Sequence, residues 1–219
     1  MRPHNKVSLG FAVLALAGCG GGKNATTTTQ AASDGSTSVC TKMSAHQHPD
    51  GGYTNKKLKL SPAKTYRLVF ETNCGNFTVT LNQALAPNAT GSLVSLAQRG
   101  FFKDTFFHRI VPGFVIQGGD PTGTGLGGPG YKTHDKVAPD ASYAHGVVAM
   151  AKSGADPAGT AGSQFFVVTG QGAGLTPDYA VVGTVTSGLD IVDKIGRLGD
   201  PNQHPTENVV IKNVRVETS

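Results

Sequence analysis

Regular alternation of apolar and polar positions begins near Lys64. Residues 66–72 and 77–81 are β-branched and aromatic runs with a period of two. Between them Asn73-Cys74-Gly75-Asn76 makes a short glycine-containing turn, so the pair predicts a hairpin. From Ala86 to Gly100 the period changes. A proline near the start, Leu93, Leu96 and Ala97 at helical spacing, Arg99 in the last turn and Gly100 just past it predict a helix. Strand-like runs return at 106–111, 114–117, 146–151, 164–169, 181–186 and 209–216. Residues 118–140 are rich in Gly and Pro and predict a long surface loop. Ser187 with Asp190 reads as a capping pair that opens a second helix, with Leu189, Val192 and Ile195 on one face and Gly196 at its end. Many short strands, two helices and no regular strand-helix-strand alternation point to a mainly β, closed antiparallel barrel rather than a parallel sheet.

The N-terminal part follows no such pattern. Arg2, His4 and Lys6 precede a short apolar run over 9–17, well below the ~20 residues of a membrane span. This is the form of an export signal. Leu16-Ala17-Gly18-Cys19 resembles the lipobox of bacterial lipoproteins, which makes 1–18 a signal peptide and Cys19 a lipid anchor; an ordinary cleaved signal with a chance cysteine is the alternative. Either way the protein is exported, and a lipid-anchored place in the cell envelope is expected. Residues 19–39, mostly Gly, Thr, Ser and Ala, predict a flexible tether, because such a stretch buries too little apolar surface to offset its ordering entropy. An arm follows over 40–63, and the folded domain over 64–219. Outside the cytoplasm disulfides persist, so Cys40 and Cys74 are expected to be bridged, with two unconnected thiols as the alternative. A loop of that length is worth roughly 3–4 kcal/mol in the chain-entropy model.

Composition supports a turn-rich β protein: 30 Gly, 12 Pro and only 15% charged residues. The net charge of +5 falls to +3 once Arg2 and Lys6 leave with the signal. The remaining Lys and Arg are scattered apart from Lys56, Lys57 and Lys59, which argues against nucleic acid as a partner.

Several motifs can be set aside. Gly123-Thr124-Gly125-Leu126-Gly127-Gly128 formally matches the dinucleotide fingerprint but is flanked by Pro121 and Pro129 instead of a strand and a helix. His46 and His48 have no third ligand near in sequence, so no metal is expected. No G-x-S-x-G elbow is present. What remains is the run 106–120, F-F-H-R-I-V-P-G-F-V-I-Q-G-G-D, in which one arginine and one glutamine sit among apolar neighbours. Arg109 either bonds backbone carbonyls structurally, or points with Gln117 into an apolar cleft toward an uncharged, amide-bearing ligand.

This run, followed by P-T-G-T-G-L-G-G-P-G, resembles the signature of the cyclophilin family. Gly146-Val147-Val148-Ala149-Met150-Ala151 and Gly162-Ser163-Gln164-Phe165-Phe166 resemble the same family in order and spacing. The resemblance covers about residues 64–218. It implies an eight-stranded barrel capped by two helices, and a peptidyl-prolyl cis/trans isomerase that acts on X-Pro bonds of exported or envelope proteins. A catalytically weak proline-peptide binding or chaperone module is the alternative. By the same resemblance Arg109 is the catalytic residue; Phe114, Met150, Phe166 and Leu175 form the proline pocket; Gln117 bonds the substrate backbone; Ala151 and Lys152 present backbone groups; and His108, Gln164 and Tyr179 line the cleft. No cofactor is implied, and a monomer is expected. Gly174 stands where the family often has a Trp that holds cyclosporin, which implies weakened cyclosporin sensitivity.

Overall fold

The computed structural model describes residues 38–56 and 58–219. The expected signal, Cys19 and the tether up to residue 37 lie outside the described residues.

The first hairpin forms as the alternation requires. β1 (Tyr66–Thr72) and β2 (Gly75–Leu81) are antiparallel, with Phe70 opposite Phe77. In a period-two strand every second side chain meets the same face, so Leu68, Phe70, Phe77 and Val79 are all buried. The two phenylalanine rings stack at 4.7 Å.

Helix α1 (Pro87–Gln98) departs from a simple amphipathic helix, since every residue from Ala89 to Ala97 is buried. Neighbours cover its outer side. A Cβ on Gly91 would strike the Leu58 carbonyl of the arm, and the Ser92 hydroxyl is 2.8 Å from that of Tyr131. The N-terminal turn has no side-chain cap of its own. Instead Asp135 accepts the N–H groups of Asn88 and Ala89 at 2.9 and 2.8 Å, placing a carboxylate at the positive end of the helix dipole.

The remaining elements are β3 (Thr105–Phe106), β4 (Arg109–Val111), β5 (Val115–Gly118), β6 (Thr133–His134), β7 (Val147–Met150), β8 (Thr160–Ala161), β9 (Phe165–Val168), β10 (Val181–Ser187), α2 (Leu189–Gly196) and β11 (Val210–Thr218). Nine strands make one strongly curled sheet in the order β3-β11-β1-β2-β10-β7-β9-β5-β4. The expectation of a closed, eight-stranded barrel therefore needs correction on both points. The run expected as one strand over 106–111 is divided at Phe107-His108: β3 pairs with β11, whereas β4 pairs with β5. One run thus supplies both sheet edges, which raises the count to nine. No ladder joins those edges to each other among the described residues.

Two local expectations also change. Ser187 is the last residue of β10, and α2 starts from Gly188, whose φ of 73° is left-handed and whose position gives no side-chain cap. A Cβ there would strike the Asn76 carbonyl, so glycine, not a serine cap, sets this junction. Residues 118–140 are no plain surface loop either. β6 pairs with β8, and Asp120 and Asp135 are buried within the segment.

The arm packs along the domain. Cys40 and Cys74 are joined by a disulfide, and Glu207 accepts the N–H groups of Val39 and Cys40 and the Ser38 hydroxyl. Further on, Gly51 and Tyr53 donate to the carbonyls of Gly128 and Pro129. The Tyr53 ring then meets Phe101 edge-on at 4.9 Å, with the Arg99 guanidinium above it.

Candidate active site

The register of four strands builds the site. Arg109 on β4 faces Gln117 on β5, Gln117 faces Phe166 on β9, and Phe166 faces Ala149 on β7. Residues directly opposite one another in antiparallel strands share a face, so these four form one row. The adjacent row, Ile110, Ile116, Val167 and Val148, is buried in the main core. The Arg109 row therefore lies on the opposite, outer face of the sheet.

On that face a second, smaller apolar cluster gathers. Val115, Tyr143, Ala149, Phe166 and Val168 are buried in it, with Phe114, Ala151, Leu175 and Tyr179 packed partly exposed against them. Tyr179 meets Phe166 edge-on at 5.4 Å. Phe114 sits in the tight turn between β4 and β5, where Gly113 takes a φ of 70° and the Phe114 N–H returns to the Val111 carbonyl.

Polar groups continue the row as a relay of hydrogen bonds. Arg109 donates from Nη1 to Gln117 Oε1 at 3.2 Å and from Nε to Gln203 Oε1 at 2.7 Å. Gln117 Nε2 donates to Gln164 Oε1 at 3.0 Å, and Gln164 Nε2 to the carbonyls of Gly125 and Gly127 at 3.0 and 2.9 Å. The buried Asp120 carboxylate in turn holds that glycine loop. It accepts Thr122 N–H and Oγ1–H at 2.8 Å each and Gly125 N–H at 2.5 Å. Burial alone would raise the Asp120 pKa, but these bonds and one from Gly127 outweigh it and hold the carboxyl below its ordinary range. The glycines set aside as a nucleotide motif are thus the frame that fixes Gln164.

His108 is half-buried, and neither ring nitrogen has a hydrogen-bond partner among the described residues. Burial lowers its pKa, Asp120 opposes that, and Arg109 adds to it, so the neutral imidazole is favoured. Ala151 donates its N–H to the Gln164 carbonyl at 2.9 Å. Lys152 is turned away from solvent, 2.7 Å from the Asp178 carboxylate and over the Tyr179 ring. A cavity of about 550 Å³ opens beside Gln117, Gln164, Ala151 and Lys152, and Asp50 of the arm also lines it.

Of the ten residues assigned to catalysis and substrate binding from sequence, Met150 does not lie on this face. It pairs with Phe165, is fully buried and belongs to the interior core. The period of two carries it to the opposite side from Ala149 and Ala151, and Val115 supplies apolar surface on the outer face instead. The sequence reading also missed Tyr143 and Gln203. The Tyr143 hydroxyl donates to the Tyr179 carbonyl at 2.8 Å and accepts the Tyr179 N–H at 3.0 Å, and burial raises its pKa. No sequence signal marks either residue, because their partners, Tyr179 and Arg109, lie 36 and 94 residues away in the chain.

Comparison with known proteins bears on the family and the fold. The family model described as cyclophilin type peptidyl-prolyl cis-trans isomerase/CLD matches residues 67–216. A peptidyl-prolyl cis-trans isomerase-like 1 of Emericella nidulans is 37% identical over 154 residues, covering 68% of this chain and 93% of its own. A peptidyl-prolyl cis-trans isomerase of Helicobacter pylori is 41% identical over 136 residues, covering 61% and 82%. A Cryptosporidium parvum cyclophilin type peptidyl-prolyl cis-trans isomerase, crystallised in the presence of the dipeptide Ala-Pro, superposes with a TM-score of 0.64 at 31% identity, covering 69% of this chain and 98% of that one. With its curled sheet, two helices and outer-face row of Arg109, Gln117 and Phe166, the chain belongs to the cyclophilin-type peptidyl-prolyl cis-trans isomerases.

Proposed function

We propose that the outer-face row binds X-Pro segments of exported proteins and that Arg109 accelerates their rotation, from a position tethered by lipid at Cys19 to the outside of a bacterial membrane. The observation that carries the catalytic part is the state of Arg109. Both of its neighbours are neutral glutamines, and no carboxylate pairs with it among the described residues. Two of the five N–H donors of a guanidinium are used this way, which leaves donors and an undiminished charge beside an apolar patch.

Rotation of an X-Pro bond is slow because amide resonance sets a barrier of ~18–20 kcal/mol. In the twisted amide the proline nitrogen loses double-bond character and becomes a better acceptor. A donor that meets it only then lowers the barrier without covalent chemistry. Phe114, Phe166, Leu175 and Tyr179, with Val115 beneath them, suit the proline ring. Gln117, Gln164 and the backbone at Ala151 suit the peptide groups before it. One half of the peptide is held while the other turns.

The basic start, the short apolar run and Leu16-Ala17-Gly18-Cys19 support the anchor. Two acyl chains on one cysteine give stable attachment where one does not. The protein acts as a monomer in this reading, since the proposed site is built from one chain.

The test of the catalytic reading is a protease-coupled assay on an Ala-Pro peptide with wild type and Arg109→Ala. A loss of roughly 10²–10³-fold in kcat/KM is expected, and equal rates would move catalysis off Arg109. For the anchor, Cys19→Ser is expected to shift the protein out of the membrane fraction; an unchanged distribution would refute lipid attachment at that residue.

A further inference from the structure

Gln203 stands out by its backbone. Among the described residues it and Asp104 are the only non-glycine positions with positive φ, here 68°, and a long side chain rarely adopts that conformation without a compensating contact. The loop around it is tightly tied. The Asp200 carboxylate accepts the N–H groups of Asn202 and His204 at 2.8 Å each, Gly199 bridges Pro205, and Thr206 closes back onto the Leu198 carbonyl at 2.7 Å. The loop lies hard against β4: a Cβ on Gly199 would strike the Ile110 carbonyl and Pro112. From this frame Gln203 makes two bonds to consecutive residues of β4. Its backbone carbonyl accepts the Ile110 N–H at 2.9 Å, and its side-chain Oε1 accepts Arg109 Nε–H at 2.7 Å.

We propose that Gln203 is a positioning residue for the isomerase reaction, clamping the Arg109 guanidinium from the side opposite Gln117. β4 is a sheet edge, so no further strand lies beyond Arg109. Gln117 alone would let the guanidinium swing about a single bond. A second acceptor at Nε, on a loop fixed to the same strand, sets the plane and directs the remaining donors toward the cleft. The inference rests on the reading of Arg109 as the catalytic residue.

The test uses the full-length protein with Gln203→Gly, Gln203→Glu, Arg109→Ala and the Arg109→Ala/Gln203→Gly double variant. Glycine suits a φ of 68° and keeps the backbone carbonyl, so Gln203→Gly is expected to unfold at the same urea concentration as wild type or a higher one. Its kcat/KM is expected to fall roughly 10-fold, short of the ~10²-fold that a 1 Å misplacement can cost. Gln203→Glu retains the acceptor but sets a carboxylate against the guanidinium, and is expected to lose about threefold, between wild type and Gln203→Gly. In the Arg109→Ala background the glycine change is expected to have no further effect, because the two residues act as a unit. Wild-type activity in Gln203→Gly, a glutamate variant no better than glycine, or additive losses in the double variant would each overturn the role of Gln203. Should Arg109→Ala itself remain fully active, the arginine reading fails first, a result separable from the others.

Discussion

The Asp120 carboxylate offers the sharpest test of how the site is held, and Asp120→Asn is the smallest perturbation that reaches it. The side chain keeps its shape but loses its charge, and one of its two acceptor oxygens becomes a donor. In the native protein one oxygen takes both bonds from Thr122 and the other takes Gly125 N–H. With the amide nitrogen on the Gly125 side, one charge-assisted bond disappears and a buried N–H faces another donor. A bond to a charged group is worth ~1.5–3 kcal/mol and an unsatisfied buried donor costs ~1–3 kcal/mol. Allowing for relaxation of a loop rich in glycine, a net loss of about 3 kcal/mol is expected. With a urea slope of ~2 kcal/mol per molar, the midpoint should fall by about 1.5 M.

The pH dependence gives this prediction its sign. The folded pKa of Asp120 lies below the unfolded value of 3.8. Its contribution is therefore complete above the unfolded value and is lost as pH falls through the folded one. The stability gap between wild type and Asp120→Asn should stay constant near neutral pH and narrow below about pH 4. Activity should fall as well, because Gly125 and Gly127 are the acceptors that fix Gln164. A midpoint within about 0.3 M of wild type, or a gap that widens on acidification, would refute the account of the loop as an Asp120-centred frame.

Two further outcomes follow from other parts of the structure. Replacing Cys40 and Cys74 together by serine opens a cross-link of sequence separation 34 and should cost about 4 kcal/mol in the chain-entropy model. Urea denaturation reads this directly, and an unchanged midpoint would show that the arm docks without help from the bridge. Tyr143→Phe leaves the Tyr179 carbonyl and N–H without their shared partner and should cost about 2–3 kcal/mol while raising KM for the peptide severalfold; unchanged KM would separate Tyr179 from substrate binding.

What the sequence showed, and what it hid, divides along physical lines. Alternation located the long strands to within two residues or so, because Phe70, Phe77 and Val79 must share a face whatever the topology. It misjudged the run over 106–111, since hydrophobicity there is continuous while the hydrogen-bond partners change from β11 to β5 at Phe107-His108. The spacing of Leu93, Leu96 and Ala97 marked one buried face of α1 but not the other, because Leu58 and Tyr131, which cover it, come from outside the helix. The outer-face row was legible where motif and register coincide, at Arg109, Gln117 and Phe166. Met150 was misplaced by one step of a period-two strand, a slip that exchanges the two faces of a sheet. Tyr143 as a brace and the proposed clamp at Gln203 depend on contacts 36 and 94 residues apart, which no local pattern encodes; Asp120 bonds Thr122 and Gly125 locally, but the loop it holds meets Gln164 from 39 and 37 residues away.

The divided strand also bears on the role proposed for this arginine. On a central strand Arg109 would have neighbours on both sides and its charge would be packed against them. Because the chain leaves one edge of the sheet at Phe106 and enters the other at Arg109, the guanidinium meets the sheet on one side only. A charge at an edge is readily hydrated and also discourages another strand from adding there. The same freedom would leave its donors undirected, and direction is what stabilisation of a twisted amide requires. Gln117 supplies it from within the sheet and Gln203 from the loop beyond it. Both are neutral, so the donors are aimed without the charge being cancelled. In the proposed role of Arg109, an acidic residue at either place would hold the arginine more firmly and weaken its pull on the proline nitrogen, whereas the amides at both places leave the charge intact.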